Sequence, residues 1–281
     1  MNGNEPRKED AMREPTMRRD HPTRSLLRLV CALVLAGACG ACAFKESGYG
    51  AGAQAERMAA QAAAEKAPQP DTPGMYLALI DRMQRQGLFY ASLAHIDAYE
   101  KQYGATPDST LLRAQALRET GQPSASAQAY RSLLSTPLAA RGYHGLGLLA
   151  GARGDFSEAA GELAQAATLA PTDAATLSDL GYARLREGDV AGARVPLMQA
   201  AELDAHSARI QSNIALLWLA QGHSKEARAL MDEQQFASAV RTAVHDDAKK
   251  VAAAARAYKS SSQSSRDVSA TVAIPGRLTH D

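Results

Sequence analysis

Between residues 73 and 234 apolar side chains recur as stripes of amphipathic helices, and these helices are interrupted by glycine at a fixed interval. The glycines in "MQRQGLF", "LRETGQP", "AGARGDF", "RLREGDV" and "WLAQGHS" are Gly87, Gly121, Gly154, Gly188 and Gly222, spaced by 34, 33, 34 and 34 residues. Five residues after each stands a small side chain: Ser92, Ser126, Ala159, Ala193 and Ala227. Seven residues before the last four stand Ala114, Gly147, Gly181 and Ala215, while the first unit has the bulkier Ile80. Small residues at both phases predict two helices per unit that approach closely there. Helices of about 13 residues are too short to be stable alone, so neighbouring units must stack to bury their stripes. The pattern predicts five helix-turn-helix units, over residues 73–106, 107–139, 140–173, 174–207 and 208–234. A glycine just past each first helix supplies a left-handed cap. In "GDFSEAAGELAQAATLAP", Asp155 is the expected N-cap, Glu158 its capping-box partner and Phe156 the side chain packed at the turn. Pro196 removes one backbone donor from the second helix of the fourth unit and should bend it slightly.

This period and its signature residues resemble the tetratricopeptide repeat (TPR), with the pattern W-x2-L-G-x2-Y, A-x3-F, P. Tyr143, Leu146 and Gly147 match its first box, as do Leu177, Leu180 and Gly181. Ala159–Leu163, Ala193–Leu197 and Ala227–Met231 match the second, and Pro171 closes the third unit. Ala150 and Arg184 stand in the tyrosine place, and the first two units are degenerate. The resemblance implies an all-α fold, a right-handed TPR superhelix, whose last unit needs a cover for its stacking surface. "FASAVRTAVHDDAKKVAAAARAYK", within 235–259, is the expected capping helix with a polar outer face. The remainder, 260–281, has no core-forming pattern and reads as a disordered tail, with "TVAIP" as an alternative short docking peptide.

The N-terminal part has a different character. Arg18, Arg19, Arg24 and Arg28 precede an apolar run from Leu29 to Phe44, too short for a spanning helix and suited to a signal peptide over 1–38. The start codon is Met1, Met12 or Met17. Small residues Ala36, Gly37 and Ala38 directly before Cys39 resemble the lipobox of bacterial lipoproteins, in which the cysteine is lipidated and begins the mature chain. Cys42 is a second candidate, and cleavage of an ordinary secretory signal near Ala41 is the alternative. Gly40, rather than an aspartate, follows Cys39, which by that resemblance implies the outer membrane, facing the periplasm. The alanine-rich stretch 39–72 then reads as a flexible linker.

Composition narrows the chemistry. The chain is 46% hydrophobic and only 5% aromatic, so its core is built from small aliphatic side chains in closely packed helices. A net charge of +1, with no basic block interleaved with aromatics, gives nucleic acid little to attract it. Cys31, Cys39 and Cys42 all lie in or beside the leader, which leaves no thiolate site or disulfide framework for the repeats. The histidines are scattered without i, i+4 pairing, so no metal site is expected, and no carboxylate pair stands out for acid–base catalysis. Gly145, Gly147, Gly151 and Gly154 look at first like a phosphate cradle, but Gly147 and Gly154 hold repeat-phased places and no strand precedes them. The reading is a protein without catalytic residues, cofactor or small-molecule substrate.

What remains is a surface for a protein partner. In a TPR solenoid the first helix of each unit lines the concave groove. The candidates there are Leu111, Gln115 and Arg118 in the second unit and Arg141, His144 and Leu148 in the third. Ser178, Tyr182 and Leu185 follow in the fourth unit, and Arg209, Ser212, Asn213 and Leu216 in the fifth. Arg209 and Asn213, one turn apart, could hold a peptide carboxylate or backbone. The lysine-and-asparagine clamp of chaperone-binding TPRs is absent.

Lipobox, alanine-rich linker, about five compact repeats and a short tail together resemble TadD, the TPR lipoprotein family of tight-adherence (Flp) pilus systems. "LLRAQALRETGQ", "YHGLGLLAGARGDFSEAA" and "SNIALLWLAQGHSKEARALM" carry that likeness. It implies a lipid-anchored, periplasm-facing scaffold that assists assembly or localisation of the pilus secretin, with secretin or other pilus-assembly subunits as partners. The alternatives are a type IV pilus pilotin and a general periplasmic interaction scaffold for envelope assembly.

Overall fold

The computed structural model describes residues 51–66 and 72–272. The leader, Cys39 and Cys42 lie outside the described residues. Each of the five units holds one helix pair: α2 (Pro73–Arg85) with α3 (Phe89–Tyr103), α4 (Pro107–Glu119) with α5 (Pro123–Ser132), and α6 (Ala139–Ala152) with α7 (Phe156–Leu169). α8 (Ala174–Glu187) with α9 (Val190–Leu203) and α10 (Ala208–Ala220) with α11 (Ser224–Glu233) complete the set. Before them runs α1 (Ala51–Lys66), and after them α12 (Ser238–Val272). The described residues are all-helical, a solenoid of stacked helical hairpins.

Local chemistry sets the ends of these helices. Thr72, Thr106, Asp155, Asp173 and Asp189 accept hydrogen bonds from backbone N–H groups in the first turns of α2, α4, α7, α8 and α9. Gly87, Gly121, Gly154, Gly188 and Gly222 all take the left-handed backbone, with φ between +72° and +104°. A side chain there would meet steric cost, which is why one residue type recurs at that phase. The capping box expected at α7 is only half made. Asp155 accepts from the Glu158 N–H at 3.0 Å, but the Glu158 carboxylate turns to Arg153, 2.8 Å away.

The small residues are packing positions. Ser92, Ser126, Ala193 and Ala227 are fully buried, and Ala159 nearly so. A Cβ on Gly147 would fall 2.6 Å from Leu163, and one on Gly181 2.3 Å from Leu197, the same contact one repeat later. Where the second unit carries a bulky residue instead, a glycine answers it across the next interface: a Cβ on Gly145 would strike the ring of buried Tyr130 at 2.2 Å. Ser92 and Ser126 replace alanine without leaving orphan hydroxyls, because Ser92 donates to the Phe89 carbonyl and Ser126 to that of Ala114.

Pro196 sits inside α9 and leaves the Gly192 carbonyl without its i+4 donor. Arg184 of α8 fills that vacancy, donating from Nη1 to the Gly192 oxygen at 2.7 Å. The arginine in the repeat's tyrosine place therefore repairs the backbone of its partner helix.

First helices of successive units touch one another, α2 to α4, α4 to α6, α6 to α8 and α8 to α10, and so form the inner face. Two segments depart from the sequence reading. Within the stretch read as flexible linker, α1 is helical and packs on α3, with Arg57 reaching Gln122 at 3.3 Å. The C-terminal helix α12 continues to Val272, past residue 259 and into the stretch read as a disordered tail. It packs against α8 and α10, so it lies on the inner face, where a cover for the terminal stacking surface was expected.

The Arg184–Gly192 contact gives a direct test. Arg184→Ala should cost about 1–3 kcal/mol in urea denaturation by orphaning a backbone acceptor. In a Pro196→Ala background, where the backbone N–H returns, the same change should cost clearly less. Equal cost in both backgrounds would show that Arg184 acts otherwise.

Candidate functional site

The inner face over the third to fifth units carries a polar cluster beside an apolar cavity. Asp179, whose side chain is 12% exposed, binds two groups at once: Arg209 Nη1 at 2.8 Å and His144 Nε2 at 2.9 Å. Three separate units thus contribute to one polar cluster. Beside it lies a cavity of about 410 Å³ lined by Leu148, Phe156, Leu163 and Ala183, with Tyr182, Arg186, Arg209 and Asn213 around it. Arg186 stacks over the Phe156 ring at 4.2 Å and that of Tyr182 at 5.6 Å, while Phe156 and Tyr182 meet edge to face. The phase that places Phe156 at a helix start and Tyr182 on the next inner helix brings these aromatics together.

Tyr182 links the site to α12. Its hydroxyl donates to the Asp247 carboxylate at 2.9 Å and accepts from Arg186 Nη1 at 2.6 Å. Burial pushes the phenol's pKa up. Burial of Asp247 by itself would raise its carboxyl, but hydrogen bonds from Lys250 and Tyr182 and the charge of Arg186 outweigh it and hold it below the usual range. A second cleft of about 370 Å³ lies between α12 and the inner helices, lined by Leu216, Val240 and Val244 among others; it shares Tyr182 and Asn213 with the first.

The structure divides the predicted groove residues into three groups. His144, Leu148, Tyr182, Arg209 and Asn213 are brought together around the cavity. Leu111, Gln115, Arg118 and Arg141 stand apart from it along the second and third units. Arg118 pairs with Glu119 at 2.7 Å, and its buried Nε has no hydrogen-bond partner. Ser178 and Leu185 are 0% exposed, so as groove residues these two are corrected, whereas Leu216, 2% exposed, lines the second cleft under α12. Leu185 and Leu216 belong to the core shared with Val244 and Val251 of α12. Ser178 accepts from Asn213 Nδ2 at 3.0 Å, and Ser212 is half-buried with its hydroxyl spent on the Ala208 carbonyl. Asp179, Phe156, Arg186 and Asp247 were missed. Arg186 lies four residues after Tyr182 and could have been found by helical spacing; Asp247, 65 residues away, could not.

Likeness to known proteins adds a class. No family model matches the chain. A curated TPR repeat-containing protein of Pseudomonas aeruginosa is 36% identical over 158 residues, 56% of this chain. The chain covers 63% of that relative's length. A thermophilic TPR protein of Thermus thermophilus superposes with a TM-score of 0.53 at 20% identity, over 63% of this chain and 98% of its own. MamA from Desulfovibrio magneticus superposes at 0.48 and 16% identity, over 60% and 96%. The fold is that of a TPR repeat protein.

A carboxyl held low in the folded state adds stability above its ordinary pKa of 3.8, and that contribution is lost as pH falls through the lower folded value. Asp247→Asn should therefore make the fall in melting temperature between about pH 5 and pH 3 shallower than in wild type. Identical pH profiles would show that Asp247 does not contribute.

Proposed function

We propose that this protein is a non-catalytic interaction scaffold, lipid-anchored through Cys39 in the outer membrane and facing the periplasm, which assists assembly or localisation of a Tad/Flp-type pilus secretin. The observation that carries the scaffold reading is the inner face itself. A polar cluster drawn from three units borders an open apolar cavity, an arrangement suited to a peptide segment with one apolar side chain and exposed backbone groups. The TPR name of the Pseudomonas aeruginosa relative supports the same class. The anchor and the pilus assignment rest on the lipobox before Cys39 and on the likeness to the TadD family.

Two experiments test it. Metabolic labelling with a lipid precursor should mark the wild-type protein and fail to mark Cys39→Ser; persistent label would move the site to Cys42 or remove the anchor from the reading. In a pull-down against the secretin of the same system, Leu148→Asp combined with Arg209→Glu should weaken capture about tenfold or more. Among the described residues neither touches α12 in an ion pair or side-chain hydrogen bond, so unchanged capture would place the interface away from the cavity. Absence of capture by the wild type would leave a general scaffold as the better reading.

A further inference from the structure

The inner face over the fourth and fifth units is not open, because α12 lies along it. Its first turn is tied to the end of α11, where Arg241 donates to the Phe236 and Met231 carbonyls and pairs with Asp232. Among the described side chains of α12, Val244 and Val251 are the buried apolar ones, with Ala248 partly buried between them. Asp247, on the same side of the helix, meets Tyr182 at 2.9 Å and lies 3.8 Å from Arg186. At the far end the backbones come close: a Cβ on Gly188 would fall 2.6 Å from the Ala254 carbonyl. The opposite side is charged, with Asp246 and Lys249 paired to each other in solvent.

The seat is also imperfectly filled. The cleft of about 370 Å³ runs between α12 and the inner helices, and Val240 beside it is 39% exposed. The connection into α12 carries a non-glycine residue, Gln235, at φ 52° in the left-handed region, a conformation that favours glycine. On the inner helices α12 makes a stripe of small apolar contacts and one carboxylate contact, on a face that in the third unit stays open.

We propose that α12 is an internal occupant of the inner groove, and that the partner segment which displaces it is an amphipathic helix of the same chemistry, with a valine-and-alanine stripe and one carboxylate that takes the Asp247 place against Tyr182 and Arg186. Tyr182 and Asn213 line both the open cavity and the covered cleft. A partner that starts in the cavity therefore reaches the α12 seat without a break, and its entry and the departure of α12 are one exchange. The inference rests on the groove being the binding face, and it adds the partner's chemistry and a built-in competitor.

The probe is a fluorescein-labelled synthetic peptide of residues 238–259, titrated by anisotropy into the full chain. A groove occupied by its own helix for 90–99% of the time lowers apparent affinity about ten- to hundredfold. Wild type should therefore bind the peptide at least about tenfold more weakly than Val244→Asp/Val251→Asp, which detaches α12 and leaves the α8 and α10 walls unchanged. Asp247→Lys, which faces Arg186 with like charge, is the second detaching variant should the first unfold. The peptide carrying Asp247→Asn should lose affinity for either. In hydrogen exchange on wild type, α12 should exchange faster than α8 and α10, and saturating peptide should speed α12 further. Equal peptide affinity in wild type and both variants, or protection of α12 equal to that of α10, overturns the proposal. Exchange of the self-peptide without capture of any secretin would instead overturn the pilus assignment and leave the internal occupant standing.

Discussion

The structure depends on how closely the two helices of each unit can approach. Where Gly147 meets Leu163 and Gly181 meets Leu197, even one methyl group would collide with the partner side chain. Helices of this length gain little from their own hydrogen bonds, and interiors packed at crystal-like density leave no slack for added volume. Close approach at a fixed phase fixes the geometry of each hairpin, and repeating it fixes the stack. The first helices then lie in contact with one another along one side, and this inner face is a consequence of the small residues.

Where the sequence departs from the repeat, a neighbour compensates. Tyr130 takes the place that leucine holds in the third and fourth units, and Gly145 clears space for its ring from the adjoining unit. Pro196 costs α9 a hydrogen bond, and Arg184 supplies another donor to the same carbonyl. Serines at the buried small-residue phase return their hydroxyls to backbone oxygens. Each substitution would be destabilising by itself, since a buried acceptor or hydroxyl without a partner costs more than a made hydrogen bond contributes.

The inner face is divided along its length. Over the third unit and its border with the fourth, the His144–Asp179–Arg209 cluster and the cavity beside Leu148 are accessible; over the fourth and fifth, α12 covers Leu216 and draws Tyr182 into contact with Asp247. Tyr182 stands at the boundary and serves both parts. Its phenol donates to the Asp247 carboxylate, whose pKa the Lys250, Tyr182 and Arg186 contacts hold below the usual range, so the contact is charge-assisted and directional. Recognition and self-cover use the same side chains.

Five helix pairs, their turns and their contact positions were legible in the sequence because each depends on residues within one period, and the pattern recurs. Gly87, Gly121, Gly154, Gly188 and Gly222 mark the turns, and the small residues on either side mark where the helices touch. The periodic pattern also placed His144, Tyr182 and Arg209 on the inner helices, but it could not tell which neighbours on those helices point outward. Ser178 and Leu185 share the same helices and are buried, and Leu216 is covered by α12. The partnership of Asp179 with His144 and Arg209 depends on the offset between stacked units, and the seat of α12 on the return of a helix across two of them. Neither is encoded in any local spacing. Contacts within a repeat follow from the order of residues along the chain, whereas contacts between units and with α12 are decided by the three-dimensional stack, which brings residues 65 positions apart within hydrogen-bonding distance.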